Sequence, residues 1–110
     1  MATKLDGCWR RVQSEDTDST AEDIIIEFTS DGSLIYTILE QGSVKKILLR
    51  YSICGDEIIT DQPSAPRIER TRFRLDGRKI VLQKDDHTET FEEIERETAN
   101  QIIAQSSRLN

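Results

Sequence analysis

Residues 24–39 constrain the fold more than any other stretch. Ile24 to Phe28 and Leu34 to Leu39 are rich in β-branched and aromatic residues, and they flank Thr29-Ser30-Asp31-Gly32-Ser33. Asp-Gly between two such runs is a strong hairpin signal, because glycine reaches positive φ without a Cβ clash. Period-two alternation puts Ile24, Ile26 and Phe28 on one face and Ile25 and Glu27 on the other. In the second strand Leu34, Tyr36 and Ile38 oppose Ile35, Thr37 and Leu39. Both strands are thus apolar on both faces, whereas a solvated outer face alternates more cleanly. Something must cover the outside, or the excess apolar surface serves contact.

The rest of the chain repeats the device. Leu5 to Val12 forms a first strand, with Leu5, Gly7, Trp9 and Arg11 on one face. Val44 to Ile53 places Ile47, Leu49, Tyr51 and Ile53 together, with Leu48 as an apolar outlier opposite. Cys54-Gly55-Asp56-Glu57 turns into a short strand, Ile58 to Thr60. A loop follows, Asp61 to Pro66, holding both prolines of the chain. In Arg67 to Leu75, Glu69, Thr71, Phe73 and Leu75 oppose Ile68, Arg70, Arg72 and Arg74. Asp76-Gly77 is a second Asp-Gly turn, leading into Lys79 to Lys84. Asp85-Asp86-His87 turns into a last strand, Thr88 to Ile94. From Glu95 or Arg96 to about Ser107 the turn residues vanish, and Ala99, Ile102 and Ile103 make a narrow apolar stripe. Alone such a helix is marginal, so it docks or frays.

The 110 residues suit one domain, which buries roughly two-thirds of its unfolded surface. Charged residues are 33% of the chain and the net charge is −6. That balance opposes binding to a nucleic-acid backbone or an anionic membrane surface. No apolar run approaches the roughly 20 residues of a spanning helix, and Met1 to Asp6 carries no secretory h-region. A cytoplasmic location is expected. Two isolated cysteines in such a compartment, Cys8 and Cys54, read as reduced and structural, with a disulfide between them as the alternative. Ser14 to Asp23 is acidic and reads as a solvated loop. It lacks the glycine and terminal glutamate of an EF-hand, so no metal site is expected there.

Eight strand candidates on short connections favour an all-β, antiparallel up-and-down meander over βαβ units. Such a meander can close into a barrel with room for side chains or one small ligand. The expected division is a β-barrel over residues 1–94 and a short helix or tail over 95–110.

Leu5-Asp6-Gly7-Cys8-Trp9, then the Ile-rich strand into Phe28-Thr29-Ser30-Asp31-Gly32 with Tyr36, resembles the small bacterial lipocalin-like domains. Tyr51-Ser52-Ile53-Cys54-Gly55-Asp56-Glu57-Ile58 stands where that group carries Tyr-x-Ile-x-Gly-Asp-x-Ile, and Asp76-Gly77 also fits. The similarity covers roughly residues 5 to 94. It implies a small lipocalin-like barrel, with Arg96 as the counterpart of an arginine that lipocalins set against the first-strand tryptophan.

The expected function is a non-enzymatic module holding a small apolar or amphipathic ligand, with no cofactor. Trp9, Phe28, Tyr36, Tyr51 and Phe73 are the candidate wall, the two tyrosines offering hydroxyls from an apolar surface. Arg70 and Arg72 are further candidates, since guanidinium groups entering a cavity can clamp a carboxylate or phosphate. Burial of Phe73 and Leu75 favours the opposite register, with the arginines outside. The alternative function is protein interaction, with a second copy or another partner, through an outer face carrying Ile25, Ile35 and Leu48. No catalytic residue is expected: His87 sits alone in a turn, and neither cysteine has a cationic or histidine neighbour that would make it a thiolate.

Overall fold

The computed structural model describes residues 5–14, 23–40, 43–63, 67–84 and 87–107. The sequence readings that fall on Met1 to Lys4, on 15–22 of the acidic loop, and on the turn or loop residues 41–42, 64–66 and 85–86 lie outside them.

Eight strands follow in order: β1 Gly7–Ser14, β2 Asp23–Phe28, β3 Ser33–Glu40, β4 Ser43–Cys54, β5 Glu57–Asp61, β6 Ile68–Asp76, β7 Lys79–Lys84 and β8 His87–Ile94. A helix, α1, spans Arg96–Ser107. Each strand pairs antiparallel with the next, and β8 returns to β1, closing the barrel. Closure gives every strand two neighbours, although β4 runs past its ladder with β5, which covers only Arg50–Cys54. The β1–β8 ladder shifts register between Arg11 and Gln13.

The β2–β3 turn is locked by its own side chains. The Ser33 N–H donates to the Thr29 hydroxyl oxygen (3.0 Å) and to Asp31 Oδ1 (3.2 Å), and the Thr29 hydroxyl donates to the same carboxylate. These bonds hold the Asp31 carboxyl below the usual carboxylate range. Gly32 takes φ +88°, where a side chain is strained. Its carbonyl accepts the Tyr51 N–H at 2.9 Å, tying the turn to β4.

Two differences from the sequence expectation have physical reasons. Leu5 and Asp6 precede β1 rather than belong to it. Leu5 is buried with the interior cluster, and its carbonyl accepts the Trp9 indole N–H at 3.1 Å. Gly7, at φ +132°, makes the bend that permits this. His87 is the first residue of β8, opposite Lys84, rather than part of a turn.

The core sits inside the barrel. Trp9, Ile26, Phe28, Leu34, Ile58, Ile80, Leu82 and Phe91 are buried there with Leu5. A second cluster lies outside the wall: Cys8, Ile25 and Ala99, flanked by Ile94, Ile102 and Ile103. The apolar stripe of α1 therefore covers the outward side of Ile25, as the two-faced pattern of β2 requires. Arg96 pins the start of the helix through a 2.8 Å ion pair with Glu27. Leu48, register partner of Ile35, stays 55% exposed. Both cysteines are free thiols, Cys8 buried and Cys54 exposed. Burial first, then the nearby Glu27 charge, pushes the Cys8 thiol upward against the pull of Arg96. That is the condition of an inert, packed cysteine.

Candidate ligand cavity

The barrel interior is packed at the end where β1 starts and hollow at the other. At the packed end, the Phe28 and Tyr51 rings meet edge to face with centroids 5.0 Å apart, and the Tyr51 hydroxyl donates to the Thr29 carbonyl at 3.1 Å. Trp9, Phe73 and Ile80 fill the space beside them.

Toward the other end the inward positions open into two adjoining lobes of about 350 and about 280 Å³. Tyr36, Thr71, Leu82 and Lys84 line both. The first lobe adds Ile24, His87, Glu89 and Phe91. The second runs between Phe28, Leu34, Ile38, Ile47, Leu49 and Ile58, with Glu69 and Gln62 at its polar margin. Pairing explains why these residues meet. Tyr36 stands opposite Ile26 on one side and Ile47 on the other, Thr71 opposite Ile58, and Leu82 opposite Glu89.

Charge enters the interior in opposite-sign pairs. Arg11 Nη1 lies 3.4 Å from Glu89 Oε2, and Lys84 donates to Glu69. The hydrogen bond from Lys84 lowers the Glu69 carboxyl, burial opposes it as the next-largest effect, and the Lys84 and Arg67 charges add smaller downward pulls. Tyr36 is pushed up to about 12, chiefly by burial and then by the Glu89 and Glu69 charges. Its phenol is therefore protonated throughout the neutral range. Among the described residues the Tyr36 hydroxyl has no protein hydrogen-bond partner.

Of the expected wall, Phe28 and Tyr36 do line the cavity. Trp9, Tyr51 and Phe73 belong to the packed end instead, because their strands place them nearer the closed turns. Arg70 and Arg72 line neither interior lobe, and Arg72 borders a separate hollow with Asp56, Arg74 and Gln83. β6 turns Glu69, Thr71 and Phe73 inward, so Arg70 and Arg72 project from the outer surface, where Arg70 lies 3.7 Å from Glu57. Burial of Phe73 decides that register, although Leu75, at the rim, is 43% exposed. Arg96 is likewise outside, on Glu27, and does not reach Trp9's interior position.

Sequence reasoning missed Arg11, Glu69, Thr71, Lys84 and Glu89. Alternation carried a signal for three of them, since Arg11 shares a face with Trp9, and Glu69 and Thr71 share one with Phe73. Among the described residues there is no cluster of three or more metal-ligating side chains. No protein-family model matches the chain, and no curated protein matches it.

Proposed function

We propose that this protein is a lipocalin-like binding module that holds a small apolar or amphipathic molecule in the hollow end of its barrel and carries out no reaction on it. The observation that supports this is the division of the interior: one end is solid, while the other keeps two adjoining lobes with mostly apolar walls and a few converging polar groups. Small-molecule sites have this composition and a volume of roughly 300–1,000 Å³. The eight-strand closed meander and the Gly7-Cys8-Trp9 start agree with the lipocalin-like resemblance.

Thr71 lines both lobes, so Thr71→Trp should fill them. Wild-type protein titrated with the neutral fluorescent probe N-phenyl-1-naphthylamine should show saturable binding. The variant, checked for unchanged far-ultraviolet circular dichroism, should lose at least about tenfold in affinity, the effect of about 1.4 kcal/mol. A folded variant that binds the probe as wild type does would overturn the assignment.

A further inference from the structure

The polar groups of the cavity restrict its occupant, a restriction that rests on the cavity being a binding site. Each charge at its margin has a counter-charge in the wall: Lys84 bonds Glu69, and Arg11 meets Glu89. An anionic head placed beside Tyr36 would face Glu69 and Glu89, the two carboxylates whose charges already act on that phenol. A cationic head would have to compete with Lys84 or Arg11 for those same carboxylates. Displacing Arg11 or Glu89 leaves the other charge of the less exposed pair uncompensated, which is costly, and the more exposed Lys84–Glu69 pair adds a smaller, solvent-screened penalty.

An uncharged polar group meets neither penalty. Tyr36 lines both lobes, as Thr71 does, and its hydroxyl is without a partner among the described residues. A site that aims an unsatisfied hydroxyl at its ligand rejects molecules that cannot complete the bond. Beyond Tyr36 the second lobe is walled by Leu34, Ile38, Ile47, Leu49 and Ile58, and asks for hydrocarbon.

We infer that the ligand is an uncharged amphiphile, whose apolar body lies in the second lobe and whose single hydroxyl or carbonyl oxygen accepts a hydrogen bond from the Tyr36 hydroxyl. The phenol's elevated pKa keeps that donor in place across the physiological range. Alcohol and ketone share the required chemistry, and the carboxylate of equal chain length does not.

The test is a binding series on the full chain near neutral pH, with 1-decanol, 2-decanone, decanoate and decylamine competing against N-phenyl-1-naphthylamine. Decanol or decanone should bind at least about tenfold more tightly than decanoate and decylamine. Tyr36→Phe should weaken the neutral ligand about three- to tenfold, the worth of one hydrogen bond, and leave decylamine unchanged. Equal or tighter binding of decanoate or decylamine would overturn the inference and leave the binding module standing. So would a folded Tyr36→Phe protein with undiminished affinity for decanol and decanone. If the probe itself fails to bind, the binding assignment falls and this inference with it. Should Tyr36→Phe not fold, the ratio of decanol to decanoate affinity in the wild type decides alone.

Discussion

At the end of the barrel where β1 begins, Leu5, Trp9, Phe28 and Ile80 occupy the interior, and the Trp9 indole is bonded there to the Leu5 carbonyl. At the end where β1 finishes, the same inward-facing periodicity delivers Arg11, Glu69, Lys84 and Glu89. Both ends use the same strands and the same two-residue alternation, so backbone architecture does not distinguish them. Side-chain chemistry does. Interior ion pairs contribute little to stability, and replacing them with well-packed hydrocarbon is often neutral or favourable. The polar end thus gives up packing that the chain achieves a few residues away. The proposed binding role would give that difference a reason.

The largest test of this contrast compares two large-to-small substitutions. Ile80 is fully buried at the packed end, while Ile38 borders the cavity. Ile80→Ala should destabilise by about 4 kcal/mol, combining lost transfer energy with a new void. Ile38→Ala enlarges a space already there and should cost about 1 kcal/mol. Denaturant unfolding reads both directly, and thermal melting should show a drop roughly four times larger for the first. Equal losses would mean that the hollow end is packed as tightly as the other.

A smaller effect isolates backbone geometry at the packed end. Gly7 holds φ +132°, and a Cβ added there would have Glu93 Oε2 as its nearest neighbour, 3.9 Å away. An alanine fits in space but not in dihedral angle. Gly7→Ala should therefore cost about 1–2 kcal/mol through strain alone. Near-ultraviolet dichroism of Trp9, two residues on, should change as the Leu5 plug shifts, while ligand affinity at the far end stays constant. Loss of ligand binding in a folded Gly7→Ala protein would show that the two ends are not independent.

These features differ in how readily the sequence discloses them. The hairpins and their facing patterns were legible, because Asp31-Gly32 and Asp76-Gly77 are local signals and side-chain alternation is local too. The docking of α1 over Ile25 was half legible. The need for a cover appears in β2 and an apolar stripe in 99–103, yet their meeting depends on distant residues. The closing β1–β8 ladder is likewise a long-range pairing. At the cavity, Phe28 and Tyr36 were found as aromatic residues on an apolar face. Glu69 and Lys84 were not, since an inward charge looks like an error until the strand carrying its counter-charge is placed beside it. Arg70 and Arg72 drew notice by their charge, although the alternation that buries Phe73 turns them outward.

The smallest effect probes the Lys84–Glu69 pair. The Glu69 carboxyl is lowered in the folded chain, principally by the hydrogen bond from Lys84. A carboxylate with a depressed folded pKa stabilises the fold above its unfolded value and loses that contribution as pH falls through the folded value. The side chains are 30% and 42% exposed, so solvent screens the pair. Glu69→Gln should cost only about 0.5 kcal/mol at neutral pH. The difference from wild type should shrink as pH drops below the ordinary glutamate value of 4.5 and vanish at acid pH below the lowered folded value. Added salt near 1 M should reduce it at neutral pH, because the Debye length falls to about 3 Å. Urea unfolding at both pH values measures the gap. A Glu69→Gln protein that is more stable than wild type at neutral pH would sharpen the contrast between the two ends, since the charge would then be retained at a net cost to the fold.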